Sequence, residues 1–195
     1  MDPAWLDVLL SVCLGLALAA ACGFRIFLPP LILSAAAMLG KVELTPGLQF
    51  LGTWPALTAL AVAVVLELAA YFVPWLDNLM DALGAPLAVG AGIVLAAAPL
   101  VGVGPVTRWT LAVVAGGAAA GGVHLALALV RKASSLATGG VANHLVATAE
   151  AIMSVALSVL ALAVPLLAIL CVVISVAVLR RVAGRRSTAG SPVSR

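Results

Sequence analysis

Charged residues are scarce in this chain of 195 residues, where Asp, Glu, Lys and Arg together make up 9%. A soluble domain carries about 25% charged and roughly 45–50% apolar residues. Here 65% of the residues are hydrophobic, and the mean hydropathy is +1.28. A soluble fold of this length needs more polar surface than that, so the composition predicts an integral membrane protein.

Histidine and cysteine are also rare, with two and three copies. Cys13, Cys22 and Cys171 all lie in apolar runs, where a small buried hydrophobic side chain is the ordinary interpretation. The sequence contains no Cys-x-x-Cys pair, His-Glu-x-x-His, Gly-x-Ser-x-Gly, phosphate loop or dinucleotide fingerprint. We therefore predict no metal site, no cofactor, no nucleic-acid partner and no enzyme activity.

Long apolar runs make up most of the chain, and a membrane-spanning helix needs about 20 such residues. The runs cover residues 8–40, 55–76, 82–107, 109–130 and 151–179. The stretch 131–150 is polar enough to form a loop with a short helix or a re-entrant piece. The predicted fold is an all-α integral membrane bundle of about five transmembrane helices, in one domain over residues 1–180.

The first run is too long for one regular span. As a single helix, residues 8–40 would extend about 50 Å, well beyond a hydrocarbon core of ~30 Å. Pro29 and Pro30 remove two backbone donors and clash with the preceding turn. We expect a broken first helix, with its break near residues 25–29, that forms either one kinked span or a hairpin with a shorter second helix.

Arginines are concentrated at the C-terminus, in residues 180–195. Because positively charged segments stay in the cytoplasm, we predict a protein of the inner (plasma) membrane with a cytoplasmic C-terminus. Residues 181–195 are rich in Ser, Gly and Arg, which predicts a disordered tail that contacts anionic lipids.

Charged residues inside apolar runs are expensive, at roughly 2.5 to 3.5 kcal/mol each near the membrane centre, and they indicate functional sites. Glu67 lies deep in its run, so its carboxyl must be protonated, paired or in contact with water. It serves either a proton- or cation-linked site or a structural role, as partner of Arg25 or of a backbone donor. Arg25 keeps its charge, so it pairs with Glu67 or Glu150, contacts a lipid phosphate or extends to the interface.

Glu150 begins the fifth run, where an acidic residue suits the first turn of a helix. Alternatively, residues 138–150, which include Asn143, fold back as irregular backbone that lines a cavity. Gly139 and Gly140 permit such a path.

Asp77, Asn78 and Asp81 have a spacing that places all three on one face of a helix. They form either a cation site or the solvated face of an interfacial helix between Pro74 and Pro86.

Gly117 and Gly121 form a Gly-x-x-x-Gly pair, which predicts close helix packing within the monomer and leaves a dimer open.

Three stretches are similar to those of a bacterial multipass membrane family catalogued as domain of unknown function 4126: "GFRIFLPP" (23–30), "ELAAYFVPWLDNLMDAL" (67–83) and "TGGVANHLVATAE" (138–150). In that family a proline usually follows the Asn that matches Asn143, and a second acid follows the Glu that matches Glu150. This chain has His144 and Ala151 there. The resemblance implies a small inner-membrane protein and no particular substrate.

The leading functional hypothesis is a small transporter- or channel-like protein. Arg25, Glu67 and Glu150 would line its polar site, with Asp77 and Asp81 at the outer mouth. The alternative is a non-transporting scaffold or anionic-lipid-binding protein in which the glutamates are structural. The transported solute or ion and the oligomeric state stay open.

Overall fold

The structure is a computed structural model that describes the backbone of residues 3–70, 74–138 and 143–174, with side chains for 5–70, 83–136 and 145–174. The secondary structure of this part of the chain is helical, with no strand. The helices are α1 Pro3–Phe24, α2 Leu28–Met38, α3 Trp54–Ala69, α4 Pro74–Ala97, α5 Pro105–Leu111, α6 Gly117–Thr138, α7 Asn143–Ala163 and α8 Pro165–Ile174. A 3-10 helix, Pro46–Gly52, precedes α3, and a π-helical segment, Ala112–Gly116, joins α5 to α6.

The first helix, α1, lies at the centre of the bundle and packs against α4, α6 and α7. Its side chains from Ala17 to Cys22 are fully buried, as expected of a helix that is apolar on every side. Small residues allow its neighbours to approach closely. A Cβ atom added to Gly15 would lie 2.7 Å from the Ala96 carbonyl oxygen of α4. Such contacts are typical of helices packed in membranes.

Glycine also mediates the contact between α4 and the helix that contains the π segment. A Cβ atom on Gly116 would lie 3.0 Å from the Gly92 carbonyl oxygen of α4, and one on Gly121 would lie 3.0 Å from Val89 Cγ2. Gly117 faces α4 as well, at slightly longer distances. The predicted Gly117 and Gly121 pair therefore lies in a contact within the chain, and the nearest backbone approach is made by the preceding Gly116.

The helical conformation is interrupted between α1 and α2, inside the predicted interval of residues 25–29. Residues 25–27 are non-helical, and α2 begins immediately before Pro29 and Pro30. Proline is tolerated in the first turn of a helix because the N–H groups there have no partner in the helix. The two prolines thus start a second helix, while the turn before them carries the break.

Several helices are long and apolar enough to cross a membrane, and they fit a membrane protein. They are Trp5–Phe24, Pro105–Leu136 and Leu145–Ala163. The 3-10 helix and α3 form a pair bent by 66°, which adds a fourth span if the pair is counted as one. Because the described residues contain three or four candidate spans, the predicted number of about five is not confirmed, and neither is a re-entrant segment.

The polar stretch 131–150 is mostly helical, so the prediction of a loop is wrong over most of its length. The sixth helix continues to Thr138 and α7 begins at Asn143. Glu150 therefore lies well past the first turn of α7, and its interpretation as a helix-start residue is also wrong. Gly139 and Gly140 lie outside the described residues.

The fourth helix is continuous from Pro74 to Ala97, with Pro86 inside it. The short interfacial helix predicted between Pro74 and Pro86 is thus the first half of a longer helix. The side chains of its polar residues, Asp77, Asn78 and Asp81, lie outside the described residues.

Candidate functional site

A buried carboxylate lies directly against the break between α1 and α2. Glu67 of α3 is 8% exposed. The Ile26 N–H donates to its Oε1 atom at 2.7 Å, and the Phe27 N–H donates to its Oε2 atom at 3.1 Å. In an unbroken helix both N–H groups would donate to carbonyls one turn earlier. The break removes those acceptors, and a side chain from another helix replaces them.

The guanidinium of Arg25 connects the same break to α7. Arg25 is 3% exposed, and its Nη2 atom donates to the Ala147 carbonyl oxygen at 2.6 Å. Its positive charge also attracts the Glu67 carboxylate. Arg25 therefore lies inside the protein, in contact with α7.

A second pair of opposite charges joins α6 to α7. Arg131 donates from Nε to Glu150 Oε1 at 2.8 Å and from Nη2 to Glu150 Oε2 at 2.5 Å. This two-pronged geometry is the strongest form of arginine–carboxylate contact. The Glu150 side chain is 2% exposed, whereas that of Arg131 is 31% exposed. Both Glu150 oxygens are bonded to Arg131, which the sequence analysis did not include among the site residues.

The Arg131–Glu150 ion pair and the two charged residues at the break form one group, which we call the polar cluster: Arg25, Glu67, Arg131 and Glu150. Arg131 attracts the Glu67 carboxylate electrostatically, so the ion pair and the residues at the break act on each other. The cluster combines two guanidinium groups with two carboxyl groups, and this balance suits a low-dielectric interior.

Two serines extend the polar surface of α7 towards α1. Ser154 Oγ donates to the Ala21 carbonyl oxygen at 3.2 Å, and Ser158 Oγ donates to the Ser154 carbonyl oxygen at 2.7 Å. Both serines are fully buried. They follow Glu150 at intervals of four residues, so all three lie on one helix face. That spacing of polar residues within an apolar run is a signal that the sequence itself carries.

The structure brings Arg25, Glu67 and Glu150 into the same region of the bundle. For the other predicted binding residues the side chains lie outside the described residues: Asp77, Asn78, Asp81 and Asn143. Among the described residues, no group of three or more His, Cys, Asp or Glu side chains is placed to hold a metal ion.

A separate cavity of about 340 Å³ lies beyond the other end of α2. The loop after α2, the 3-10 helix and Val101 form its mostly apolar wall, to which Glu43 and Gln49 add polar groups. Both of these polar residues are exposed. This cavity and the polar cluster lie at opposite ends of α2.

The family model described as a domain of unknown function (DUF4126) matches residues 12–185. The chain therefore belongs to this family, and the resemblance of the three quoted stretches is confirmed. No curated protein and no solved structure matches the chain.

Proposed function

We propose that this member of the DUF4126 family is a small transporter- or channel-like membrane protein, with the polar cluster as the point where the transported solute or ion crosses the bundle. The observation that carries the proposal is the contact of Glu67 with the backbone of a broken central helix. Discontinuous helices, whose exposed backbone groups face a polar site, are typical of the substrate sites of secondary transporters.

The energetic cost of the cluster supports a functional role. A broken helix and two charged pairs are expensive in an apolar interior, and replacing a buried ion pair with apolar side chains is often neutral or stabilising. A purely structural bundle has cheaper alternatives at these positions. Ionisable residues inside membrane segments are accordingly functional by default.

The arrangement of the helices supports movement at the break. The third helix packs against α2 and the 3-10 helix, whereas α1 packs against α4, α6 and α7. The second helix also packs against α7 and α1, so α3 is joined to the central helices through α2 and through the bonds of Glu67 to residues 26 and 27. Short non-helical segments of this kind serve as hinges, because they absorb changes in backbone dihedrals.

Flux through reconstituted liposomes tests the proposal. We expect wild-type protein to conduct protons or small ions. We expect Glu67→Gln to reduce the flux about tenfold or more, since an NH2 donor replaces one of the two oxygens that accept from N–H groups and the titratable charge is lost. Glu43→Gln is the matched control, because Glu43 is exposed and outside the cluster. Equal flux from wild type and Glu67→Gln, at equal incorporation, would remove the role of Glu67.

A non-transporting scaffold that binds anionic lipid is the second candidate. The observation that favours it is the internal satisfaction of the cluster, in which both glutamates are held by donors of the protein itself. Native mass spectrometry after mild delipidation separates the two functions. Retained anionic lipid without measurable flux supports the scaffold, and flux without retained lipid excludes it.

A further inference from the structure

The groups that hold the Glu67 carboxylate are hydrogen-bond donors and positive charges. Two backbone N–H groups donate to its oxygens, and Arg25 and Arg131 act on it electrostatically. Metal cations in proteins are held by several oxygen ligands, including carbonyl groups. Within the described part of the chain, both Glu150 oxygens are bonded to Arg131, and no group of three or more His, Cys, Asp or Glu side chains is placed to hold a metal ion.

We propose that the ion bound at Glu67 is a proton, and that its binding releases the first residues of α2. This inference rests on the proposed function, because it names the ion that the transport site carries. A proton forms a covalent bond with one carboxylate oxygen, so it needs no set of oxygen ligands. It is therefore the cation that suits a site lined with donors.

Protonation changes the hydrogen bonds that Glu67 is able to make. In the charged form, one oxygen accepts from Ile26 and the other from Phe27. When a hydronium ion or a buffer acid transfers a proton, an O–H bond forms on one oxygen and the negative charge disappears. The protonated oxygen is now a donor, so it is a poor acceptor for the N–H group that faces it. The hydrogen bond to the other oxygen becomes weaker, because its acceptor is no longer charged.

The released N–H groups have a second set of acceptors in the preceding helix. In an unbroken helix each would donate to the carbonyl four residues earlier. The Arg25 N–H still does so, to the Ala21 carbonyl oxygen at 3.3 Å. The N–H groups of residues 26 and 27 thus have two alternative acceptors, Glu67 of α3 or the carbonyl groups of α1. A switching element requires two discrete arrangements of this kind.

The charged and titratable groups around Glu67 come from several elements: Cys22 of α1, Arg25 of the break, Arg131 of α6 and Glu150 of α7. The second helix and the 3-10 helix contain no titratable residue. His124 of α6 packs against Gly84 of α4, and the side chains of Asp77 and Asp81 lie outside the described residues.

The two buried carboxyl groups differ in what holds them. Glu150 is bonded twice to a guanidinium, whereas Glu67 is bonded to two neutral N–H groups. Arginine stays charged over the accessible pH range, so its hold on Glu150 persists.

Infrared difference spectroscopy and hydrogen exchange, both on the full chain in liposomes, test this inference without measuring flux. We expect a carboxylic-acid C=O band that is present in the wild-type spectrum and absent from the Glu67→Gln spectrum, and we expect it to grow as the pH is lowered. The protection of the Ile26 and Phe27 amides, measured as exchange relative to the intrinsic rate at each pH, should fall about tenfold over the same pH range, because a hydrogen bond to a charged group is lost. Glu67→Gln should lack the band and exchange rapidly at every pH.

Two further variants complete the test. Glu43→Gln should match wild type in both measurements, and Glu67→Asp should keep a pH-dependent band with a different midpoint. The same band in Glu67→Gln, or protection of the Ile26 and Phe27 amides that does not change with pH in wild type, overturns the inference. If band and exchange behave as expected and no flux is found, the proton switch stands and the transport function fails. Flux that survives while Glu67 stays unprotonated at every pH removes the switch alone.

Discussion

The two ends of α2 satisfy their backbone groups in opposite ways. At its start, Ile26 and Phe27 depend on a carboxylate from a distant part of the chain. At its end, the Gly40 N–H donates to the Ala37 carbonyl at 3.0 Å and the Lys41 N–H to the Ala36 carbonyl at 2.9 Å. These two bonds and the positive φ of Gly40, 68°, form a Schellman motif made by neighbouring residues alone.

This difference follows from the surroundings of the two ends. The end of α2 leads into a loop beside the cavity, and residues 39–41 of this loop are exposed. The start of α2 is buried, and in a membrane protein every polar group there needs a partner from the protein. Single substitutions should therefore be costly at the start of α2 and mild at its end.

The largest effect is expected from Glu67→Ala, which leaves two buried N–H groups and the charge of Arg25 without the carboxylate. We expect a loss of about 3–6 kcal/mol in the free energy of unfolding, measured by denaturant titration in detergent. Glu43→Ala, at the exposed end, should change it by less than about 0.5 kcal/mol. Similar losses for the two variants would contradict the contrast between the ends.

The Arg131–Glu150 pair should respond asymmetrically to truncation. Arg131→Ala leaves a carboxylate that is 2% exposed, and we expect it to cost about 3–5 kcal/mol. Glu150→Ala leaves a guanidinium that is 31% exposed and reaches water, so a loss of about 1–2 kcal/mol is expected. The same denaturant titration measures both variants. Equal losses in the free energy of unfolding for the two variants would show that the burial of the remaining charged partner does not determine the loss.

Close packing around α1 gives a third, smaller effect. A Cβ atom on Gly23 would lie 2.6 Å from the Ala120 carbonyl oxygen of α6, and backbone does not move aside easily. Gly23→Ala should therefore lower the thermal midpoint, through a loss of about 1–3 kcal/mol. Gly90→Ala is the matched control, because its added methyl group meets open space and alanine favours the helix. A midpoint for Gly23→Ala at or above that of Gly90→Ala would refute the close contact.

The smallest effect on stability is expected at the exposed end of α2. Gly40→Ala meets no atom within 4 Å, so its cost comes only from the positive φ and should be about 1 kcal/mol. Gly47→Ala, which also meets open space and lacks a positive φ, should be near neutral. Thermal unfolding of both variants checks this, and a larger loss at Gly47 than at Gly40 would contradict the Schellman interpretation.

The cost of charge in an apolar run was enough to find Arg25, Glu67 and Glu150 from the sequence. All three are buried in the structure, and the proline pair correctly indicated the break. Composition likewise predicted helices that fit a membrane protein. These features could be predicted because the cost of burying a charge and the geometry of proline do not depend on distant parts of the chain.

The partners were not predictable in the same way. Arg131 and Glu150 are 19 residues apart and meet only because α6 and α7 pack side by side. Because Arg131 is charged, residues 131–150 resemble a loop in the sequence. In the structure Arg131 lies inside α6, and its ion pair with Glu150 compensates the charge. The Ala147 carbonyl that accepts from Arg25 has no signature in the sequence at all. The end of α6 at Thr138 and the start of α7 at Asn143 were not predicted, for the same reason.

The most direct test of the central claim is the ratio of flux in Glu67→Gln liposomes to flux in Glu43→Gln liposomes. Both variants remove one carboxylate, one at the buried start of α2 and one at its exposed end. If the Glu67 carboxylate at the broken helix is the transport site, the ratio should be about one tenth or lower. A ratio near one, with both proteins folded and equally incorporated, would contradict it.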